Sequence, residues 1–211
     1  VNRRGVRFCN ESTPYDFLCF QAGQQPGGVW CEVFDANAPE DILRFDTMGC
    51  SGFAKQMMAA GMPLEEFVAA SKDAGILKKA NTLEELADQL GFEGEAKEAF
   101  LEQVERYNAQ FDAQTDDDFG KEAYRLSALR TAPFYGLWFG GTLLTTLDGL
   151  KIDEECRVLD AKNEPIQGFY AAGDVSGSFF SGNYPEYIVG VASGRSSVQG
   201  RHVARKLAGD L

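Results

Sequence analysis

The stretch "GFYAAGDVSG", residues 168–177, decides how the chain is read. Phe169, Tyr170, Ala171 and Ala172 follow one another without polar alternation. Such a run reads as a strand buried on both faces of a sheet. Gly173-Asp174 ends it in a tight turn, and a loop over 175–187 leads to a final helix over 188–208, stopped by Gly209. In open α/β sheets, ligands bind at the carboxyl ends of strands placed in this way. Gly173 would let a ligand approach the backbone, and Asp174 offers an acceptor for ligand hydroxyls. From spacing alone, an ordinary turn capped by an aspartate fits equally well.

The final helix raises the same question from its other side. Its N-terminus, near residues 187–190, presents unpaired N–H groups and a partial positive charge. Such an end can stabilise negative charge developing on a ring or on a substrate oxygen. Tyr184, in "SGNYPEY" (181–187), stands just before it. The plain alternative is a turn residue ahead of a helix. Arg195 within that helix could be a ligand-side or a helix-surface charge, and the structural reading is favoured.

Upstream, the pattern changes near residue 131. Residues 1–38 alternate short strands with one helix: "VNRRGVRFCNE" (1–11) reads as a hairpin turning at Arg4-Gly5, "TPYDFLCFQAG" (13–23) as a helix begun near Pro14, and "VWCEVFD" (29–35) as a half-buried strand. Residues 39–130 are helical and acidic. Thr82 with Glu85 makes a capping box and Gly91 a stop. Phe100, Val104, Tyr107 and Phe111 line one helix face. Asp116-Asp117-Asp118 reads as a solvated turn, and its spacing does not match an EF-hand loop. From 131 onward "PFYGLWFGG", "LKID", "CRVLD" and "GFYAAGD" read as strands, with "DAKNEPIQG" (160–168) as a hairpin connection. The aromatic set Trp138, Phe139, Phe179 and Phe180 is core, or the wall of an apolar pocket. A small α+β module thus precedes a β-rich return that ends in a helix.

Composition excludes several classes. The 211 residues carry a net charge of −12, which repels phosphate backbones and argues against nucleic acid as a partner. No apolar run approaches the roughly 20 residues a membrane span needs. Five scattered cysteines (9, 19, 31, 50 and 156), no CxxC and a single histidine, His202, argue against structural zinc and for reduced, buried thiols. The chain opens at Val1 with a hairpin under way, which reads as the C-terminal portion of a longer protein. No GxGxxG fingerprint occurs.

Taken in order, "VNRRGVRFCNES", "NTLEELADQLG", "VERYNAQF", "DDDFGK", "PFYG", "LKIDEECRVLDAKNEPIQGFYAAGDVSG" and the "GR" at 194–195 resemble the FAD-dependent fumarate reductase/succinate dehydrogenase flavoprotein superfamily. The run D-x-x-x-x-P-I-x-G-F-Y-A-A-G-D is the specific part. The resemblance implies an α+β capping (substrate) domain over 1–130. It implies that 131–211 are the C-terminal strands and helix of a Rossmann-like FAD-binding domain whose N-terminal half is not in this stretch. FAD is then the cofactor of the whole protein, not retained by these residues alone. Gly173, Asp174, Ile188 and Val189 would be the cofactor contacts.

Within that superfamily, soluble fumarate reductases carry a proton-donating arginine where this chain has Tyr15. They carry a substrate histidine nearest to Leu144, and a second substrate arginine at Tyr184. A dicarboxylate needs cations, and bidentate arginine is the usual partner. The replacements are similar instead to 3-ketosteroid dehydrogenases. That similarity implies Tyr15 as acid/base and Tyr184 as the donor that polarises a ketone, with a third tyrosine outside this stretch. The chain departs from that subgroup at Ile188, where a glycine supplies a backbone N–H, and "FFSGNYPEY" is similar to anaerobic enone reductases. The expected chemistry is hydride transfer between flavin and a carbon next to a carbonyl, on an enone- or ketosteroid-like small molecule. The alternatives are a fumarate-reductase-like enoate reductase, and an isolated cap that binds no FAD and has no activity.

Overall fold

The computed structural model describes residues 1–45, 51–143, 145–180, 182–184, 188 and 190–210, with the side chains of Tyr15, Ser51 and Phe53 set aside. They form two compact units, Val1–Gly141 and Thr142–Leu211.

In the first unit, α1 (Tyr15–Gly23) leads through a short 3-10 turn to β1 (Val29–Asp35). Four short helices follow: α2 (Ala38–Arg44), α3 (Ser51–Ala59), α4 (Leu64–Phe67) and α5 (Ala69–Asp73). Then come β2 (Lys78–Ala80), α6 (Leu83–Leu90), α7 (Gly94–Ala113) and β3 (Phe134–Gly140). The sheet order is β1-β3-β2, antiparallel throughout, with Val29 opposite Gly140 and Ala80 opposite Phe134. Because β3 is the central strand, the unit closes after Gly141, and the change of pattern at 131 falls inside it.

The helices α6 and α7 supply the core against this sheet. Leu86, Leu90, Phe92, Phe100 and Val104 are buried with Cys31, Ala80 and Phe134, and the Phe92 and Phe100 rings stack at 5.0 Å. The capping box forms in a shifted version. Thr82 Oγ1 accepts from Glu85 N–H at 3.1 Å, while the Glu85 carboxylate accepts from Asn81 N–H at 3.3 Å, one residue before the cap. Gly91 closes α6 in the left-handed conformation, as its position in the sequence predicts.

Residues 1–10 differ from the expected hairpin. The turn is present, with Asn2 N–H donating to Val6 C=O at 2.9 Å, but no strand ladder follows. Val1 instead exchanges both backbone bonds with Cys31 of β1, at 2.7 and 2.8 Å. The turn is held against α7 instead: a Cβ at Gly5, where φ is +78°, would collide with the carbonyl oxygen of Ala96.

The Asp116–Asp118 run is not a solvated turn. Asp116 is buried and accepts from both terminal nitrogens of Arg7, at 2.7 and 3.0 Å. It also accepts from the amides of Asp118, Phe119 and Lys121. Asp118 pairs with Arg106, and only Asp117 faces water. Arg7 completes the knot by bonding Glu11 at 2.6 and 2.9 Å and lying over the rings of Tyr107 and Phe119. A buried guanidinium needs such partners, and the loop wraps around the charge to supply them.

In the second unit, β4 (Arg157–Leu159) and β5 (Pro165–Tyr170) form a two-stranded hairpin, and α8 (Val191–Ala208) ends the fold. Asp160 caps the predicted connection, accepting from the amides of Lys162 and Glu164. The "GFYAAGD" segment is not buried on both faces. Phe169 is 44% exposed, because among the described residues β5 has β4 as its one partner; burial begins at Ala171. Among the described residues no helix is long and apolar enough to cross a membrane.

The buried pair generates a stability prediction. Burial alone would raise the Asp116 carboxyl, but Arg7 and the three amides hold it below the usual carboxylate range. Its contribution is therefore full above the unfolded value, near 4, and is lost as pH falls below about 4. Asp116→Asn should cost about 3 kcal/mol at neutral pH, since removing one partner leaves a buried charge underpaired. The variant should also lose part of the wild-type decline between neutral pH and about pH 3. Denaturant midpoints at both pH values check this.

The thiols depart partly from expectation: Cys9, Cys31 and Cys156 are buried and free, but Cys19 on α1 is exposed, and Cys50 lies outside the described residues. Burial pushes the Cys9 thiol up to about 11 and that of Cys31 up to about 12. Alkylation mapped by peptide mass near neutral pH should therefore reach Cys19 well before Cys9 or Cys31.

Candidate functional site

Tyr15 is the first residue of α1. Pro14, with φ −48° and ψ 141°, sets the chain direction into the helix, and Leu18 N–H closes the first turn on Pro14 C=O at 3.0 Å. Leu18 lies one turn on and lines a cavity of about 330 Å³ within the first unit. Trp30, Val33 and Phe45 give the cavity apolar walls, and Glu11, Glu32 and Lys121 bring charge to it.

The polar groups are linked. Lys121 Nζ donates to Tyr107 Oη at 2.9 Å and sits 3.2 Å from Glu11, which is paired in turn with Arg7. Burial would lower the lysine, but Glu11 and Tyr107 outweigh it and hold its ammonium charged. Glu32 reaches solvent, yet protein packed around the concavity pushes its carboxyl up. Few polar groups among apolar walls is the usual constitution of a small-molecule pocket. None of Arg7, Glu11, Glu32 and Lys121 stood out in the sequence. Residues 7–11 lie outside any helix, so the spacing of Arg7 and Glu11 carried no signal.

The second unit places Gly173, Asp174 and Tyr184 around one buried side chain. Gly173 opens a short 3-10 turn to Val175 with φ +71°, and a Cβ there would meet Ser196 Oγ of α8 at 2.9 Å. Its N–H donates to Gln199 Oε1 at 2.9 Å. Arg195 donates to the carbonyl oxygens of Gly173 and Ser176 and to Ser176 Oγ. It is 7% exposed, so it is not a helix-surface charge. Its guanidinium carbon lies 4.6 and 4.9 Å from the ring centres of Phe179 and Phe180. Phe180 is buried and its ring centre lies 5.5 Å from that of half-buried Tyr184.

The remaining predicted residues are placed as follows. The Asp174 side chain faces water, and the residue's carbonyl accepts from Thr146 Oγ1. Ile188 is 63% exposed, while Val189 and Leu144 lie outside the described residues. α8 begins at Val191 rather than 188, because Gly190 takes a left-handed φ of 81° at the cap. The first helix bond runs from Gly194 N–H to Gly190 C=O, leaving the amides of residues 192 and 193 directed out of the helix end. Of the four aromatic residues, Trp138 packs on Phe92 and donates to Leu90 C=O at 2.9 Å, Phe180 is core, and Phe139 and Phe179 are partly exposed.

This donor set suits part of a flavin nucleotide. The water-facing Asp174 carboxylate suits sugar-alcohol hydroxyls, and amides at a helix end suit an electron-rich ring edge. The close approach expected of a ligand at Gly173 is instead taken up by Ser196, and its N–H by Gln199. A GxGxxG turn for the pyrophosphate does not occur in the 211 residues.

The sequence of the chain places it among flavoproteins. The chain belongs to the FAD binding domain family, whose model it matches over residues 1–187, and the resemblance to fumarate reductase-type and ketosteroid-dehydrogenase-type flavoproteins stands. FAD is the cofactor of that family. The chain is similar to an NADH:acrylate oxidoreductase of Vibrio harveyi, 32% identical over 183 residues that cover 87% of this chain and 16% of the relative. It is similar to a 3-oxosteroid 1-dehydrogenase of Mycolicibacterium smegmatis, 30% identical over 88% of this chain and 34% of the relative. In fold it is similar to the 3-ketosteroid delta1-dehydrogenase of Sterolibacterium denitrificans, with a TM-score of 0.70, 24% identity, and coverage of 100% of this chain and 38% of that one. The chain thus spans well under half the length of each.

The contact at Gly173 generates a prediction. Gly173→Ala should cost about 1–2 kcal/mol from the left-handed backbone alone, and more from the approach to Ser196. Adding Ser196→Gly should recover only the second part. Denaturation midpoints, with amide exchange over residues 173–176, separate the two.

Proposed function

We propose that the whole protein is an FAD-dependent oxidoreductase acting at the carbon–carbon bond beside a carbonyl, on an enone- or ketosteroid-like small molecule. In this reading residues 1–130, with β3 completing their sheet, belong to the capping, substrate-side part, and the rest of 131–211 returns into the FAD-binding part. Gly173, Asp174, Ile188, Val189 and the first turn of α8 hold the cofactor side. FAD, when bound, supplies the hydride chemistry.

The observation that carries this reading is the uncharged side chain at Tyr184, set against buried Phe180 ahead of the α8 N-terminus. A phenol there donates one hydrogen bond to a ketone oxygen, and it cannot neutralise a second carboxylate as a guanidinium would. Tyr15, at the start of α1, exchanges the proton at the neighbouring carbon. A tyrosine hydroxyl is neutral near pH 7, with an ordinary pKa of about 10, so it donates unaided and needs a stabilised anion to accept.

A second reading, reduction of an enoate, is favoured by the acrylate named for the Vibrio harveyi relative. Acrylate carries one carboxylate and needs fewer cations than fumarate.

The test uses full-length, FAD-loaded protein under anaerobic conditions. Reoxidation of a reduced dye is followed with cyclohexenone, a 3-ketosteroid enone, acrylate and fumarate. Enone turnover is expected, and Tyr15→Phe and Tyr184→Phe should each lower kcat by about 100-fold or more, the scale of one lost transition-state donor. Turnover of acrylate alone would favour the second reading, and undiminished turnover in both variants would remove the two tyrosines from the chemistry. The 211-residue chain alone should not retain FAD on gel filtration.

A further inference from the structure

We infer that Arg195 is a positioning residue: one buried guanidinium fixes the Gly173–Ser176 turn and, through Phe180, the ring of Tyr184. The inference rests on the assignment of Tyr184 to the ketone.

The geometry makes one side chain answer to both ends of the candidate site. Arg195 donates to the carbonyl oxygens of Gly173 and Ser176, the two ends of the turn that presents Asp174. The same guanidinium lies 4.6 Å from the Phe179 ring centre and 4.9 Å from that of Phe180. The Phe180 ring is 5.5 Å from the Tyr184 ring. Gln199, one helical turn on, accepts from Arg195 Nε at 3.3 Å and from Gly173 N–H at 2.9 Å, so the guanidinium is held in turn from α8.

Among the described residues no carboxylate lies within ion-pair distance of Arg195. Its charge is met by carbonyl dipoles and ring faces, which impose direction as well as attraction. One nitrogen, Nη2, reaches both carbonyls while Nε bonds Gln199 and the guanidinium carbon lies over two rings. A lysine ammonium has no second donor atom for Gln199 and no planar face for the rings, so the role calls for a guanidinium. Phe179, at 49% exposure, leaves one side of the stack open to water, whereas Phe180 is buried and transmits the position inward.

The test uses full-length protein labelled with 3-fluorotyrosine, read by fluorine NMR with and without FAD. The Tyr184 resonance is identified by its loss in Tyr184→Phe. In Arg195→Lys, Arg195→Gln and Phe180→Leu it should move toward the unstructured position as the Phe180 ring is displaced or removed. An unchanged Tyr184 resonance in the folded Arg195 variants would overturn the inference, and this holds even if no enone is turned over. Where turnover is present, Arg195→Lys should lower kcat by about 100-fold, the cost of misplacing a reacting group by about 1 Å, with far less change in KM. In the Tyr184→Phe background the same substitution should cost little more, because the two residues act as one unit. Additive losses would mean that Arg195 only supports the fold, and would also overturn the inference.

Discussion

A buried guanidinium must have its donors answered, and each unit of this chain is organised around one. Arg7 in the first unit is met by Glu11, Asp116 and Gln110 and by two aromatic faces. Arg195 in the second is met by backbone carbonyls, a glutamine and two phenylalanine faces. Desolvating the charge is expensive, so the surrounding loops have few ways to satisfy it. That scarcity gives irregular segments such as 116–121 and 173–180 a defined shape with only isolated turn and bridge hydrogen bonds in the backbone.

The regular elements were legible because their signals are local. The apolar spacing of α7, the Thr82–Glu85 cap, Gly91, Gly209 and the alternation of β1 depend on neighbours within a turn or two. The Arg7–Asp116 pair joins residues 109 apart, and no local pattern encodes it. Asp116 therefore read as one more polar loop residue. The three-residue strand β2 was missed for a related reason: "KKA" has no strand pattern of its own and pairs only because Gly136, Tyr135 and Phe134 lie opposite. The start of α8 moved by three residues because Gly190 breaks the helix on its own account.

The candidate site was legible as chemistry before it was legible as geometry. The expectation that Tyr15 and Tyr184 stand in place of cations came from the family resemblance, and residue identity says what a group can donate or accept. The side chains that would orient such groups carry no such mark. Arg195 sits in an unremarkable "SGR", and its part emerges only when Gly173, Ser176, Phe179 and Phe180 are found around it.

The exposed strand β5 has a consequence for how these residues behave in isolation. Ile166 and Phe169 are 42% and 44% exposed on a two-stranded sheet, which is the kind of edge that recruits further copies into a growing ladder. Two features blunt it. Pro165 has no N–H to offer a neighbour, and Gly168, at φ +74°, breaks the pleat where the pairing with β4 shifts register. The strand is therefore a poor template for self-propagating stacking, even though its side chains remain sticky. Association of this chain, where it occurs, should be amorphous and detergent-reversible rather than fibrillar.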